Sequence, residues 1–83
     1  MPYIIQDRRD HIITFTGTEF ADTSGELNYL LTQVVLTYLD RKGKSYQTIN
    51  DIIGALEGAK LEFYRRVAAP YEDKKIQENS DVY

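Results

Sequence analysis

Between Thr23 and Gly43 the sequence carries a start signal, an apolar face and a stop signal for one helix, and all three agree. Thr23 and Glu26 have the spacing of a capping box, in which hydroxyl and carboxylate satisfy exposed backbone donors reciprocally. Leu27, Leu30, Leu31, Val34, Val35, Tyr38 and Leu39 then recur at i, i+3, i+4 and i+7 over several turns. Arg41 and Lys42 fall where cations complement the helix dipole, and Gly43 suits the left-handed position beyond the last turn. The spacing predicts a helix over residues 24–42.

A second helix is expected almost at once, over residues 46–69. Ser45 or Thr48 caps it, the latter with Asp51 as the third helical residue. Ile49, Ile52, Ile53, Leu56, Ala59, Phe63 and Val67 supply its stripe. Pro70 disfavours helical geometry at Ala69 and is expected to end it. The short link Gly43-Lys44-Ser45 is of the kind that joins antiparallel neighbours. The fold class is therefore all-α, an antiparallel helical hairpin over 23–69 in a single domain spanning 1–83.

The flanks are less regular. His11-Ile12-Ile13-Thr14-Phe15-Thr16 reads as a short strand, or as a poor helix continuing from Asp7-Arg8-Arg9-Asp10. The arm over 1–22 is accordingly expected to be irregular or β-like. Residues 70–83 read as a solvated tail, with room for one or two helical turns between Glu72 and Glu78.

Size now enters the argument. A chain of 83 residues removes only roughly 60% of its unfolded surface on folding. Without cysteine it has neither disulfides nor a thiolate zinc site to compensate. Self-association is the remaining remedy, and a dimer closing a bundle is its simplest form. Tyr29, Leu36 and Leu61 lie off the main stripes and read as interface positions. Gly54 and Gly58 share one face of the second helix, which suggests close approach by a packed helix or a ligand. Met1 to Arg9 lacks the pattern of a signal peptide, and no apolar run reaches membrane-spanning length, so the expectation is a cytoplasmic protein without a membrane partner.

Enzyme signatures are missing, and no catalytic residue is expected. There is no cysteine nucleophile, and Ser24, Ser45 and Ser80 lack an elbow-type glycine context. His11 with Glu19, Asp22 or Glu26 matches no compact metal-ligand spacing, so neither a metal nor a cofactor is called for. The net charge of −3 argues against duplex nucleic acid as a partner.

Local charge says more. Lys60, Tyr64, Arg65 and Arg66 cluster near the end of the second helix. One reading makes them solvated helix pairs, Glu57 with Lys60 and Glu62 with Arg65 or Arg66. The other makes them a ligand site. Guanidinium groups beside tyrosine rings hold a phosphate while a base stacks, and Tyr71 adds a ring. In an antiparallel hairpin Asn28 and Tyr29 would lie alongside, adding an amide and another ring.

Four stretches also carry a resemblance: Gly25-Glu26-Leu27-Asn28-Tyr29, Tyr46 to Gly54, Lys60 to Val67 and Pro70 to Lys75. With the Asp81-Val82-Tyr83 ending they resemble a family of roughly 80-residue proteins from prokaryotes and their phages, one to which no function attaches. The stretch from His11 to Asp22 departs from that pattern, where helix-forming sequence is expected. Separately, Arg65-Arg66-Val67-Ala68-Ala69-Pro70 is similar to the pattern closing the second helix of phage anti-CBASS sponge proteins, helical-hairpin homo-oligomers that sequester cyclic oligonucleotides. The Arg/Tyr cluster on an otherwise acidic chain, together with that similarity, gives the expectation of a non-catalytic sponge or sensor for a nucleotide-type anion, with Arg65, Arg66 and Lys60 taking phosphate charge, Tyr64, Tyr71 and Tyr29 stacking, and Asn28 hydrogen bonding. The alternative expectation is a protein-interaction module, using the apolar face or the carboxyl-terminal tail on a host or phage protein.

Overall fold

A computed structural model describes residues 4–13 and 21–83, with side chains at 4–9 and 21–83. All regular structure among the described residues is helical: α1 over Gln6–Ile13, α2 over Ser24–Lys42, α3 over Tyr46–Phe63, a π-helical turn over Tyr64–Ala68, and α4 over Ala69–Asn79. The all-α class is what the patterns of 24–42 and 46–69 require. Two compact units divide the chain within α3, residues 2–52 and residues 53–83.

In the first unit α2 is built as its sequence dictates. Thr23 is extended, and its Oγ1 accepts from the Glu26 N–H at 3.1 Å. Glu26 Oε1 accepts in return from the Asp22 N–H at 2.9 Å, so the box closes one residue upstream of its usual partner. At the other end the Gly43 N–H bonds to the Leu39 carbonyl with φ at 87°, a conformation open to glycine. Ser45, not Thr48, caps α3. Its Oγ accepts from the Thr48 N–H at 3.1 Å and donates to Thr48 Oγ1. Asp51 instead accepts from the Gln47 side chain at 2.8 Å.

The amino-terminal arm needs a correction. His11, Ile12 and Ile13 close α1 as a helix continuing from Asp7 to Asp10, the alternative to the strand reading, so the irregular or β-like expectation fails over Gln6–Ile13. Gln6 to Arg9 begin the helical ladder, with Asp7 in the first turn and the Arg9 N–H bonded to the Ile5 carbonyl at 3.1 Å. A helix satisfies its own backbone groups, whereas a lone strand needs a partner edge. The remainder of the strand reading, Thr14-Phe15-Thr16, lies outside the described residues.

The second correction is larger. Helical structure does not end at Pro70 but continues to Asn79, so most of the expected tail is helix. Ala69 is itself helical at φ −62°, ψ −46°. The π turn explains how. In unbroken α geometry the Pro70 ring collides with the carbonyl four residues back, and Pro70 has no N–H to offer it. Here the Ala69 N–H bonds to the Tyr64 carbonyl, five residues back, so the widened turn accommodates the ring. Pro70 then sits at the start of α4, where its missing donor matters least.

No apolar side chain among the described residues is buried. Thr48, 6% exposed, is the one buried residue among them. The stripes are partly open: Leu27, Leu31 and Val34 of α2 and Ile53, Leu56 and Phe63 of α3 are exposed, whereas Leu30, Val35, Tyr38, Leu39 and Ile52 are half-buried.

Candidate functional site

The sequence-selected residues Tyr64, Arg65 and Arg66 are the first three of the π turn. Such turns are rare and recur at functional sites, because they present side chains in a register that an α-helix does not allow. Glu62 lies just ahead of the turn and holds both arginines. Arg65 Nη2 donates to both of its carboxylate oxygens at 3.1 Å, and Arg66 Nε donates to Oε2 at 2.7 Å. These charge-assisted bonds, that of Arg66 first and that of Arg65 second, hold the Glu62 carboxyl below its ordinary pKa. The three groups together carry one net positive charge at the surface.

Tyr64 is engaged differently. Its hydroxyl donates to Glu72 Oε1 at 3.0 Å, which raises the tyrosine pKa because the bond favours the neutral phenol. Glu72 is eight residues on, a spacing that is not neighbourly in an α-helix. Eight α-helical steps leave two side chains about 80° apart around the axis. The extra residue of the π turn takes about 100° back and puts Tyr64 and Glu72 on one side. This partner is invisible in the sequence unless the π turn is known.

Lys60 and Tyr71 complete the carboxyl-terminal set. Lys60 Nζ lies 3.8 Å from Glu57 Oε1, the i, i+3 pair the sequence offered. Tyr71 is exposed, with Lys75 Nζ 5.5 Å from its ring centroid. Asn28 and Tyr29 belong to α2 in the other unit. The Thr32 hydroxyl lies 2.9 Å from the Asn28 carbonyl and 3.3 Å from its side-chain oxygen, and Tyr29 is exposed. Thus the solvated helix pairs of the first reading are present, and Arg65, Arg66 and Tyr64 share one turn.

An open cleft of about 670 Å³ lies along α4 and the residues that follow it. Tyr64, Tyr71, Glu72, Asp73, Ile76 and Tyr83 are among its lining residues; Lys60, Arg65 and Arg66 are not. Carboxylates outnumber the one lining ammonium, Lys75, so the cleft is electrostatically unsuited to a phosphate. An anion recruited by the arginines would therefore rest on the open surface of the π turn.

Gly54 faces open space, with no side chain or other segment within 4 Å of where a Cβ would stand. Among the described residues no group of three or more histidine, cysteine, aspartate or glutamate side chains is placed to hold a metal ion, and no helix is long and apolar enough to cross a membrane. His11 and Glu19 lie outside the described side chains.

Residues 1–82 match the family model described as "Domain of unknown function (DUF6899)". The chain belongs to this family. The match spans the residues of α1 to α4. No curated protein and no solved structure matches the chain.

Proposed function

We propose that this protein is a non-catalytic helical interaction module that completes its core by association, first of all with itself. The observation that supports this reading most strongly is the absence of any buried apolar side chain among the described residues, although α2, α3 and α4 all carry large apolar groups. Helices of this length gain most of their stability from tertiary burial of an apolar face. A chain whose helices leave apolar groups uncovered gains that burial from a second chain, and a homo-oligomeric bundle is the arrangement we favour. Sedimentation velocity over a wide concentration range tests this. The reading requires a species larger than the 9.6 kDa chain that dissociates on dilution. A folded, strictly monomeric chain at every concentration would overturn it.

A second reading rests on a separate observation, the placement of Tyr64, Arg65 and Arg66 in one π turn. The paired guanidinium groups and the adjacent ring suit a small phosphate-bearing anion, with Glu62 as the group that the anion displaces. The oligomer would then act as a sponge or sensor for a cyclic oligonucleotide, an anti-defence role if the chain is phage-encoded. Calorimetry with cyclic di- and trinucleotides decides this reading. Heat that disappears in R65A/R66A supports it, and no heat with any of them at oligomer-forming concentration rejects it.

A further inference from the structure

We propose that the self-associating surface is the row Leu27, Leu31, Val34 and Tyr38 on α2, and that its occupant is α2 of a second copy running antiparallel to the first. The inference rests on the self-association reading above and adds to it a surface, a direction and a register. The four residues are spaced four, three and four apart, the alternation that forms a coiled-coil seam. Leu27, Leu31 and Val34 are exposed by 48%, 51% and 53%, and Tyr38 is half-buried at the end of the row.

Two features select a second copy over an unrelated partner. The first is symmetry. A four–three–four spacing reads the same in both directions, so under a two-fold axis Leu27 of each copy meets Tyr38 of the other and Leu31 meets Val34. The second is charge. Asp22 and Glu26 make the amino-terminal end of α2 acidic, whereas Arg41, Lys42 and Lys44 outweigh Asp40 at the carboxyl-terminal end. Antiparallel pairing sets the acidic end of each copy beside the basic end of the other, and it also opposes the helix dipoles. Parallel pairing would place like charges together at both ends. The basic end is already gathered on the seam, with Arg41 and Lys42 each 5.9 Å from the centroid of the Tyr38 ring. The acidic end of the second copy would arrive there.

Because the chain has no cysteine, disulfide mapping is clean. Full-length L27C and Y38C are mixed and oxidised. A cross-linked heterodimer is expected, with little cross-linking of either variant alone. Efficient self-cross-linking of L27C would indicate parallel pairing and overturn the proposal. In sedimentation equilibrium L31E is expected to raise the dissociation constant by about 100-fold or more, since a charge in the seam is left unpaired, while L61E, at a position the sequence alone offers as interface but outside this row, leaves it nearly unchanged. Circular dichroism of the cross-linked L27C–Y38C species supplies a readout that does not depend on how well L31E folds, since helicity at least equal to wild type is expected. If the wild-type chain associates, yet L31E is without effect and L27C and Y38C do not cross-link, this surface is wrong and the self-association reading stands. If the wild-type chain never associates, that reading fails first.

Discussion

Gly43 and Thr23 fix the two ends of α2 through different physics, and each makes a separable contribution. At φ 87° a Cβ on residue 43 is strained whatever space surrounds it, so G43A is expected to cost about 1–2 kcal/mol. T23A removes the hydroxyl that receives the Glu26 N–H and should cost about 1 kcal/mol. Urea denaturation followed by circular dichroism measures both. Gly54 predicts the opposite sign, because its Cβ position is open. G54A should stabilise the helix by about 1 kcal/mol without altering association, which is assigned to α2. Two titrations also belong to this scale. Glu62 is depressed below its ordinary 4.5, so its contribution is complete above that pH and lost as pH falls through the native value. Tyr64 is raised above its ordinary 10.0, so its contribution is complete below pH 10.0 and lost as pH rises through the native value. E62Q should therefore flatten the acid side of the stability profile, and E72A should return one phenol toward the ordinary value in an ultraviolet titration.

At the scale of elements, α2 was legible in the sequence because its cap, face and stop are all local. Ser45 and Gly43 made the start of α3 legible for the same reason. The run from Phe63 to Asn79 was not. Pro70 carries a strong local signal for termination, and the signal was outweighed by a change in hydrogen-bond register that no propensity encodes. Tyr64, Arg65 and Arg66 could be found as a cluster from charge and aromatic content. That they occupy a π turn, and that Tyr64 bonds to Glu72, follows only from that register. In α1, His11 to Ile13 have strand character by composition, yet the helix begun by Gln6 to Arg9 carries through them. A test at this scale is P70A. Alanine restores the missing donor and removes the ring, so the turn is expected to relax toward α geometry. The tyrosine titration should then lose its raised component, as in E72A, while helicity increases. A raised component that survives in P70A would show that the π turn does not depend on proline.

On the proposed reading, the molecule is a set of helices whose apolar faces are completed by a second chain. Its length, the absence of cysteine and the apolar stripes of α2 and α3 all led to that expectation, and the lack of any fully buried apolar side chain among the described residues agrees with it. Linkage gives a further consequence. If folding is completed by association, stability depends on protein concentration, and the thermal midpoint should rise with it. The anion reading adds no requirement of its own here, because Arg65 and Arg66 are surface groups paired to Glu62, and exposed pairs of this kind contribute little to stability. The most direct test is sedimentation equilibrium of the wild-type chain alongside L31E at matched concentrations. The account predicts a reversible oligomer for the wild type and a shift toward monomer in L31E. A wild-type chain that is fully helical and monomeric throughout would contradict it.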